Sequence, residues 1–160
     1  MIPIDETYRA QAHALTGDFD RLLDALASGP SYRPRVAPAP PPEPGVYLFA
    51  EGPQVMHVGR TKNLQDRRRA QTSPSGDRFV ATFAFLMARH RAAEAYDDLP
   101  EFRDQLAADA RFAPLFVQAK AAVRAMEFRC VIIEHHARQA VFEIFASVAF
   151  ASPYNFWETH

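Results

Sequence analysis

The sequence predicts an α+β domain in which helices pack against a small sheet. Three observations carry this. Two short β-prone runs, VYLFA (46–50) and VMHV (55–58), flank the turn-forming Glu51-Gly52-Pro53-Gln54 and read as a hairpin. A later run, Phe128–Ile133 (FRCVII), reads as a further strand by its β-branched content. Between and around these runs, apolar residues recur at helical spacing. The expected order is helix, linker, strand, strand, helix, helical block, strand, helix, with no internal repeat.

Each element has its own signal. Residues 4–28 read as helical, because Leu15, Phe19, Leu22, Leu23 and Leu26 share a helical period and Ser28-Gly29-Pro30 stops the run. Gly17 leaves a division into two short helices open. Residues 30–44 end in APAPPPEP. Proline fixes φ and removes a donor, so this stretch is expected as a stiff connector, although short recognition motifs share that composition. In the hairpin, alternation places Tyr47 and Phe49 on one face, and a turn centred on Gly52 would set Tyr47 opposite His57. Gly59 is expected to end the second strand. Asn63 can cap a helix over Leu64–Gln71, which carries Arg67, Arg68 and Arg69. From Ser73 to Met126 the pattern is mostly helical. Phe79, Phe83, Leu86 and Met87 form one stripe, Phe102, Leu106 and Ala110 a second, and 115–126 a third. The last helix is expected over His136–Ala151, broken by Ser152-Pro153.

Composition narrows the function classes. The 160 residues suit one decorated domain, and 48% hydrophobic content excludes wholesale disorder. Eighteen basic residues nearly balance nineteen acidic ones, for a net charge of −1. Nucleic-acid affinity would therefore have to come from a local patch, such as Arg60, Lys62 and Arg67–Arg69. Cys130 is the single cysteine, which excludes an internal disulfide and reads as a small core residue. The start MIPIDETYR lacks a basic region followed by an apolar stretch, and the longest apolar segment, 141–151, is too short to span a bilayer. A cytoplasmic location without a membrane partner is the expectation.

Several residues invite a chemical reading. Tyr47 and His57 are either two proton-handling groups side by side or a half-buried tyrosine with an incidental histidine. Glu143 lies in QAVFEIFASVAFA, where only Gln139 and Ser147 are polar at helical spacing. A carboxylate there needs a cation, a hydrogen-bonded partner or solvent. His136, Gln139, Glu143 and Ser147 would alternatively form a solvated edge. In Arg67-Arg68-Arg69 the three side chains cannot share one direction, so Arg68 and Arg69 are either solvated or in contact with phosphate. Glu134-His135-His136 does not suit zinc, because adjacent histidines diverge and no second pair lies at ligand spacing. Phe156-Trp157 is expected to pack the last helix.

Read together, Gly45-Val46-Tyr47, His57-Val58-Gly59, Arg60-Thr61-Lys62-Asn63-Leu64 and Arg67 resemble the opening of a GIY-YIG nuclease domain. The two tripeptides stand here as GVY and HVG. The family's first tyrosine falls on Tyr47, the basic residue after the second tripeptide on Arg60, and the helical arginine on Arg67. The family's metal-binding glutamate, on a later helix and followed by a proline-linked asparagine, falls on Glu143 with Pro153-Tyr154-Asn155. The resemblance covers 45–71 and about 128–155. It implies a small three-stranded, mostly antiparallel sheet flanked by helices, to which this chain adds an N-terminal helix and a helical insertion. The domains so implied are an arm over 1–29, a Pro-rich linker over 30–44, and a nuclease-like domain over 45–160 with its insertion at 73–126.

The resemblance also implies an activity: metal-dependent endonucleolytic hydrolysis of phosphodiester bonds in nucleic acid, with DNA the expected partner. Tyr47, His57, Arg67 and Glu143 would be catalytic. Arg60, Lys62, Asn63 and Asn155 would bind substrate. Glu143 would hold one Mg²⁺ or Mn²⁺ per site, because magnesium keeps several waters and needs only one or two carboxylates. Arg67 would pair with phosphate oxygens through its planar fork. Tyr47 would position or deprotonate the attacking water once a nearby cation lowered its pKa, and Asn155 would hold Tyr47 or the site loop. Three departures stand out. His57 replaces the usual tyrosine. Gln71 stands where tyrosine or histidine is common. The insertion exceeds a minimal domain and would supply substrate contacts, a lid or a dimer surface. Two other readings follow: a catalytically impaired module that binds nucleic acid or protein, and a helical interaction protein using 1–28 and 73–126. A homodimer is compatible with the sequence.

Overall fold

The computed structural model describes residues 5–34, 36 and 38–156; Trp157 lies outside them. Helices α1 (Glu6–Ala14) and α2 (Phe19–Ser28) come first, divided around Gly17. Strands β1 (Gly45–Glu51) and β2 (Gln54–Thr61) follow, then α3 (Leu64–Gln71), α4 (Thr82–Ala95), α5 (Arg103–Ala108) and α6 (Phe112–Ala125). Strand β3 (Glu127–Ile132) and helix α7 (His136–Ala149) complete the order. The strands form one sheet in the order β2-β1-β3, with both pairings antiparallel. This is the α+β architecture with a three-stranded sheet and flanking helices. Among the described residues no helix is long and apolar enough to cross a membrane.

The middle strand organises the core. Residues 45–50 of β1 are all buried, and alternation sends them to two faces. Tyr47 and Phe49 join Phe128 and the insertion residues Phe83, Phe85, Phe112 and Val123 in one apolar cluster. Val46, Leu48 and Ala50 join Val58, Phe142 and Ala146 in a second, closed by Phe19 and Leu26 of α2. Phe19 meets Phe142 edge-on with centroids 5.0 Å apart. The segment expected as an arm thus contributes α2 to the core, whereas α1 buries no side chain. The Pro-rich segment is also tied down. The Tyr32 amide donates to the Phe128 carbonyl at 2.7 Å, and the Pro41 and Glu43 carbonyls accept from the Gln65 and Leu64 amides at 3.2 and 2.9 Å.

The hairpin register differs from the expected one. Glu51 pairs with Gln54, so the turn is centred between Gly52 and Pro53, with Gly52 at φ 57° in the left-handed region that favours glycine. A bulge between Phe49 and Ala50 adds a further residue on β2. Tyr47 therefore pairs with Gly59, and His57 with Phe49. Nor does Gly59 end the strand, which runs on to Thr61. Its lack of a side chain makes room instead: a Cβ there would stand 2.5 Å from the Tyr47 hydroxyl and 2.6 Å from Cζ.

The helical stripes of the insertion hold in part. Phe83, Met87 and Leu106 are buried as expected. Phe79 and Phe102 are 59% and 71% exposed, because Phe79 precedes α4 and Phe102 sits at the N-cap of α5, where helical periodicity no longer applies. The contact between Gly59 and Tyr47 makes a direct prediction. Gly59→Ala should destabilise the fold by about 1–3 kcal/mol in chemical denaturation, as overpacking does. Adding Tyr47→Leu should recover part of the loss, while Tyr47→Phe, which keeps Cζ, should recover little.

Candidate active site

Four of the expected residues reach one cleft. Arg60, Lys62, Arg67 and Glu143 line an open cavity of about 570 Å³ together with Thr61, His136 and Gln139. Each arrives by a different route. Arg60 projects from the end of β2, and Lys62 follows it in the loop. Arg67 sits in the second turn of α3, whose start is set by Asn63: its side chain accepts from the Asp66 amide at 2.9 Å. Glu143 comes from the middle of α7, 83 residues from Arg60.

Glu143 is neither solvated nor alone. Its side chain is 18% exposed, and Arg60 Nε donates to Oε2 at 3.1 Å. Burial pushes its pKa above the usual carboxylate range, opposed by the Arg60 charge and by hydrogen bonds from the Arg60 side chain and backbone. The solvated-edge reading holds for the exposed His136 and is overturned for Gln139, Glu143 and Ser147. Gln139 and Ser147 are 1% and 3% exposed, whereas Ile144 and Val148 on the opposite face are 45% and 67% exposed. Gln139 donates to the Ile133 carbonyl and Ser147 to the Ile144 carbonyl, so the polar stripe can face inward with its groups satisfied. Arg67 has no ion pair to a carboxylate among the described residues, and its charge is felt at both Tyr47 and His57.

The remaining candidates stand outside the cleft. Tyr47 is 3% exposed, stacked on Phe128 with centroids 5.2 Å apart. Burial pushes its pKa up to about 12; Arg67 lowers it, Glu143 raises it, and a hydrogen bond from Gln71 lowers it. Arg67 acts on this phenol in the expected direction, but desolvation outweighs its guanidinium. His57 faces the insertion, its ring stacked on Phe83 at 4.6 Å and its Nδ1 3.3 Å from the Tyr154 carbonyl. A carbonyl only accepts, so Nδ1 carries the proton. Burial pulls the His57 pKa down to about 4, the Tyr154 hydrogen bond opposes this, and Arg67 adds to it.

Asn63 and Asn155 have structural partners where substrate contacts were expected. Asn63 is occupied as the α3 cap. Asn155 accepts from the Val58 amide and donates to the Val58 carbonyl, both at 2.8 Å, so its carboxamide pairs with the free edge of β2 like a strand residue. It touches β2, not Tyr47. Gln71 does something similar for the insertion. It is 1% exposed, donates to the Thr82 hydroxyl at 2.7 Å and accepts from the Phe83 amide at 3.0 Å. Helix α4 has no side-chain cap of its own, so Gln71 satisfies its first turn. His136 and Gln139 also belong to the cleft, and their i, i+3, i+7 spacing with Glu143 along α7 is the sequence signal for it.

No family model matches the chain, and no curated protein matches it. Among solved structures, the chain is similar to the GIY-YIG N-terminal endonuclease domain of UvrC from Thermotoga maritima. One such structure, a point mutant bound to its catalytic divalent cation, is 16% identical over 72% of this chain and 86% of that one, with a TM-score of 0.36. Another is 13% identical over 86% of this chain and 98% of that one, with a TM-score of 0.37. What the cleft can do follows from its own side chains.

Two predictions come from the interior residues. His57 binds a proton less readily in the folded chain than unfolded, so stability should fall as pH drops from about 6.5 towards 4. The slope should be about 1.4 kcal/mol per pH unit, levelling off below that window. His57→Phe should flatten this slope in urea titrations at pH 7 and pH 5. Gln71→Leu leaves the Phe83 amide buried without a partner and should cost about 1–3 kcal/mol in the same measurement.

Proposed function

We propose that this protein is a metal-dependent endonuclease that hydrolyses phosphodiester bonds in nucleic acid, DNA in the first instance, at the Arg60–Arg67–Glu143 cleft. One observation carries the reading: a half-buried carboxylate and two guanidinium groups from three separate elements converge on one open cavity. Phosphodiester hydrolysis asks for this set, namely a ligand for a hard cation and forked donors for phosphate oxygens.

The residues fit a divalent cation of the magnesium type. Glu143 is a carboxylate whose burial is offset by Arg60, in a cavity large enough for a hydrated ion. Among the described residues no three His, Cys, Asp or Glu side chains gather at one point, which suits a sparsely liganded Mg²⁺ or Mn²⁺ rather than zinc. When bound, such a cation supplies Lewis-acid stabilisation of phosphate charge and a more acidic water. The chain's own groups do the rest. Arg60, which donates to Glu143, would turn its guanidinium to an arriving phosphate, and Glu143 is the carboxylate that would hold the cation. Arg67, with no carboxylate to satisfy, offers its fork to the same phosphate. Lys62 adds charge at the rim. Tyr47 acts from behind the cleft as a positioning residue, holding the β1–β2 floor against Gly59. His136 places an imidazole at the wall.

A second reading, a nucleic-acid- or protein-binding module with impaired catalysis, is favoured by a specific observation. At the positions where the resemblance puts proton carriers, Tyr47 and Gln71 are buried and the partly buried His57 is stacked on Phe83. Plasmid nicking with Mg²⁺ or Mn²⁺ decides between the two. The endonuclease reading expects Glu143→Gln and Arg67→Ala each to lower nicking on the order of a hundredfold or more. Equal rates in parent and variants would overturn it. Salt-sensitive DNA binding by a parent that does not nick would establish the module.

A further inference from the structure

We propose that a second cleft, on the other flank of helix α3, binds a flanking phosphate of the same nucleic-acid strand. This rests on the nucleic-acid reading above. The cleft has a volume of about 520 Å³. Arg68, Arg69 and Thr72 of α3 form one wall, Arg124 at the end of α6 another, and Pro34 of the Pro-rich segment a third. No carboxylate lines it.

Three guanidinium groups around one concavity repel one another unless an anion joins them. Arg69 has a partner, Asp66, at 2.7 Å. Arg68 does not: its Nε and Nη2 are buried without a hydrogen-bond partner. Arg124 has no carboxylate partner among the described residues. A guanidinium edge without an acceptor is costly, and a phosphate oxygen between Arg68 and Arg124 would supply the counter-charge that the lining of the cleft lacks. Burial lowers the Arg68 pKa, the direction expected of a cation lacking its counter-ion. Guanidinium forks match phosphate oxygens in particular.

The position indicates whose phosphate it is. Arg67 and Arg68 are consecutive, about 100° apart around the helix, so α3 is the shared wall of both clefts. A strand with one phosphate at Arg60 and Arg67 must pass over α3 to leave the cleft on that side. The helix N-terminus takes no part. Its first amides are occupied by the Pro41 and Glu43 carbonyls and the Asn63 side chain. The second site therefore depends on side chains from α3 and from the insertion, which gives the insertion a direct role in substrate binding.

Fluorescence anisotropy with a labelled duplex DNA, Ca²⁺ replacing Mg²⁺ to hold off cleavage, tests the proposal. The Arg68→Ala/Arg124→Ala double variant should bind about tenfold or more weakly, with a log–log salt slope shallower by about one to two. Arg124→Ala alone, at a half-exposed position, should lower the slope by about one and serves if Arg68→Ala unfolds. Hydrolysis of bis(p-nitrophenyl) phosphate, too small to span both clefts, should be unchanged. Equal affinity and slope in parent and variants would overturn the second cleft and leave the endonuclease reading standing, as would loss of the small-ester hydrolysis. If inorganic phosphate raises the parent's melting temperature through Arg68 and Arg124 while DNA affinity ignores them, the site is for a free anion and the strand assignment fails. A parent that binds no DNA would overturn both readings. A parent that binds through Arg68 and Arg124 but nicks equally with Glu143→Gln would overturn the first alone.

Discussion

Strand β1 is hydrogen-bonded along both edges and buried on both faces, and the positions of the other elements depend on that double burial. Its alternate residues must each find an apolar layer. Val46, Leu48 and Ala50 are covered by α2 and α7, and Tyr47 and Phe49 by the insertion and Phe128. Helix α7 is held against the first of these faces by Phe142 and Ala146, so Glu143 is delivered to the end of β2 where Arg60 stands. The Arg60–Glu143 geometry is thus a by-product of packing a strand buried from Gly45 to Ala50. A polar residue anywhere from 46 to 50 would disturb both layers at once.

Helix α7 shows how local polarity and burial separate. Its polar stripe, Gln139, Glu143 and Ser147, faces inward, while Ile144 and Val148 face out. Apolar area left in water forgoes stabilisation that burial would provide, at about 25 cal/mol per Å². The arrangement persists because Phe142 and Ala146 still anchor the helix and each polar group finds a partner: a carbonyl for Gln139, a carbonyl for Ser147, a guanidinium for Glu143. The ion pair between Glu143 and Arg60 is partly desolvated, where charges interact strongly and are exchanged rather than left bare.

Residues at the positions of expected proton carriers serve as fasteners. Tyr47 fills the space above Gly59, His57 joins the Phe83 stack, and Gln71 caps α4. All three tie the sheet to the insertion. The larger insertion gives these side chains apolar and hydrogen-bonding partners that bury them. The same insertion contributes Arg124 to the second basic cleft. Chemistry and scaffold have been redistributed across the same few positions.

The elements themselves were legible in the sequence, because their signals are local. The Asn63 cap, the FRCVII strand, the break at Gly17 and the Leu64–Gln71 helix depend on neighbours within a few residues. The candidacy of Arg60, Arg67 and Glu143 rested on the resemblance to GIY-YIG nuclease domains. The register was not legible: a turn centre half a residue later and one bulge moved His57 from Tyr47 to Phe49. Burial was not legible either. A phenol, an imidazole and a carboxamide look alike in sequence whether they line a cleft or a core, and a helical polar stripe does not announce which way it faces. Pairing of Asn155 with β2, of Gln71 with α4, and of Arg60 with Glu143 spans 97, 12 and 83 residues. The chain by itself determined which side chains were available on β1, β2, α3 and α7. Only the tertiary structure decided that Arg60, Arg67 and Glu143 share a cleft while Tyr47 and His57 lie behind it, because desolvation and long-range packing are set by neighbours that local sequence does not specify.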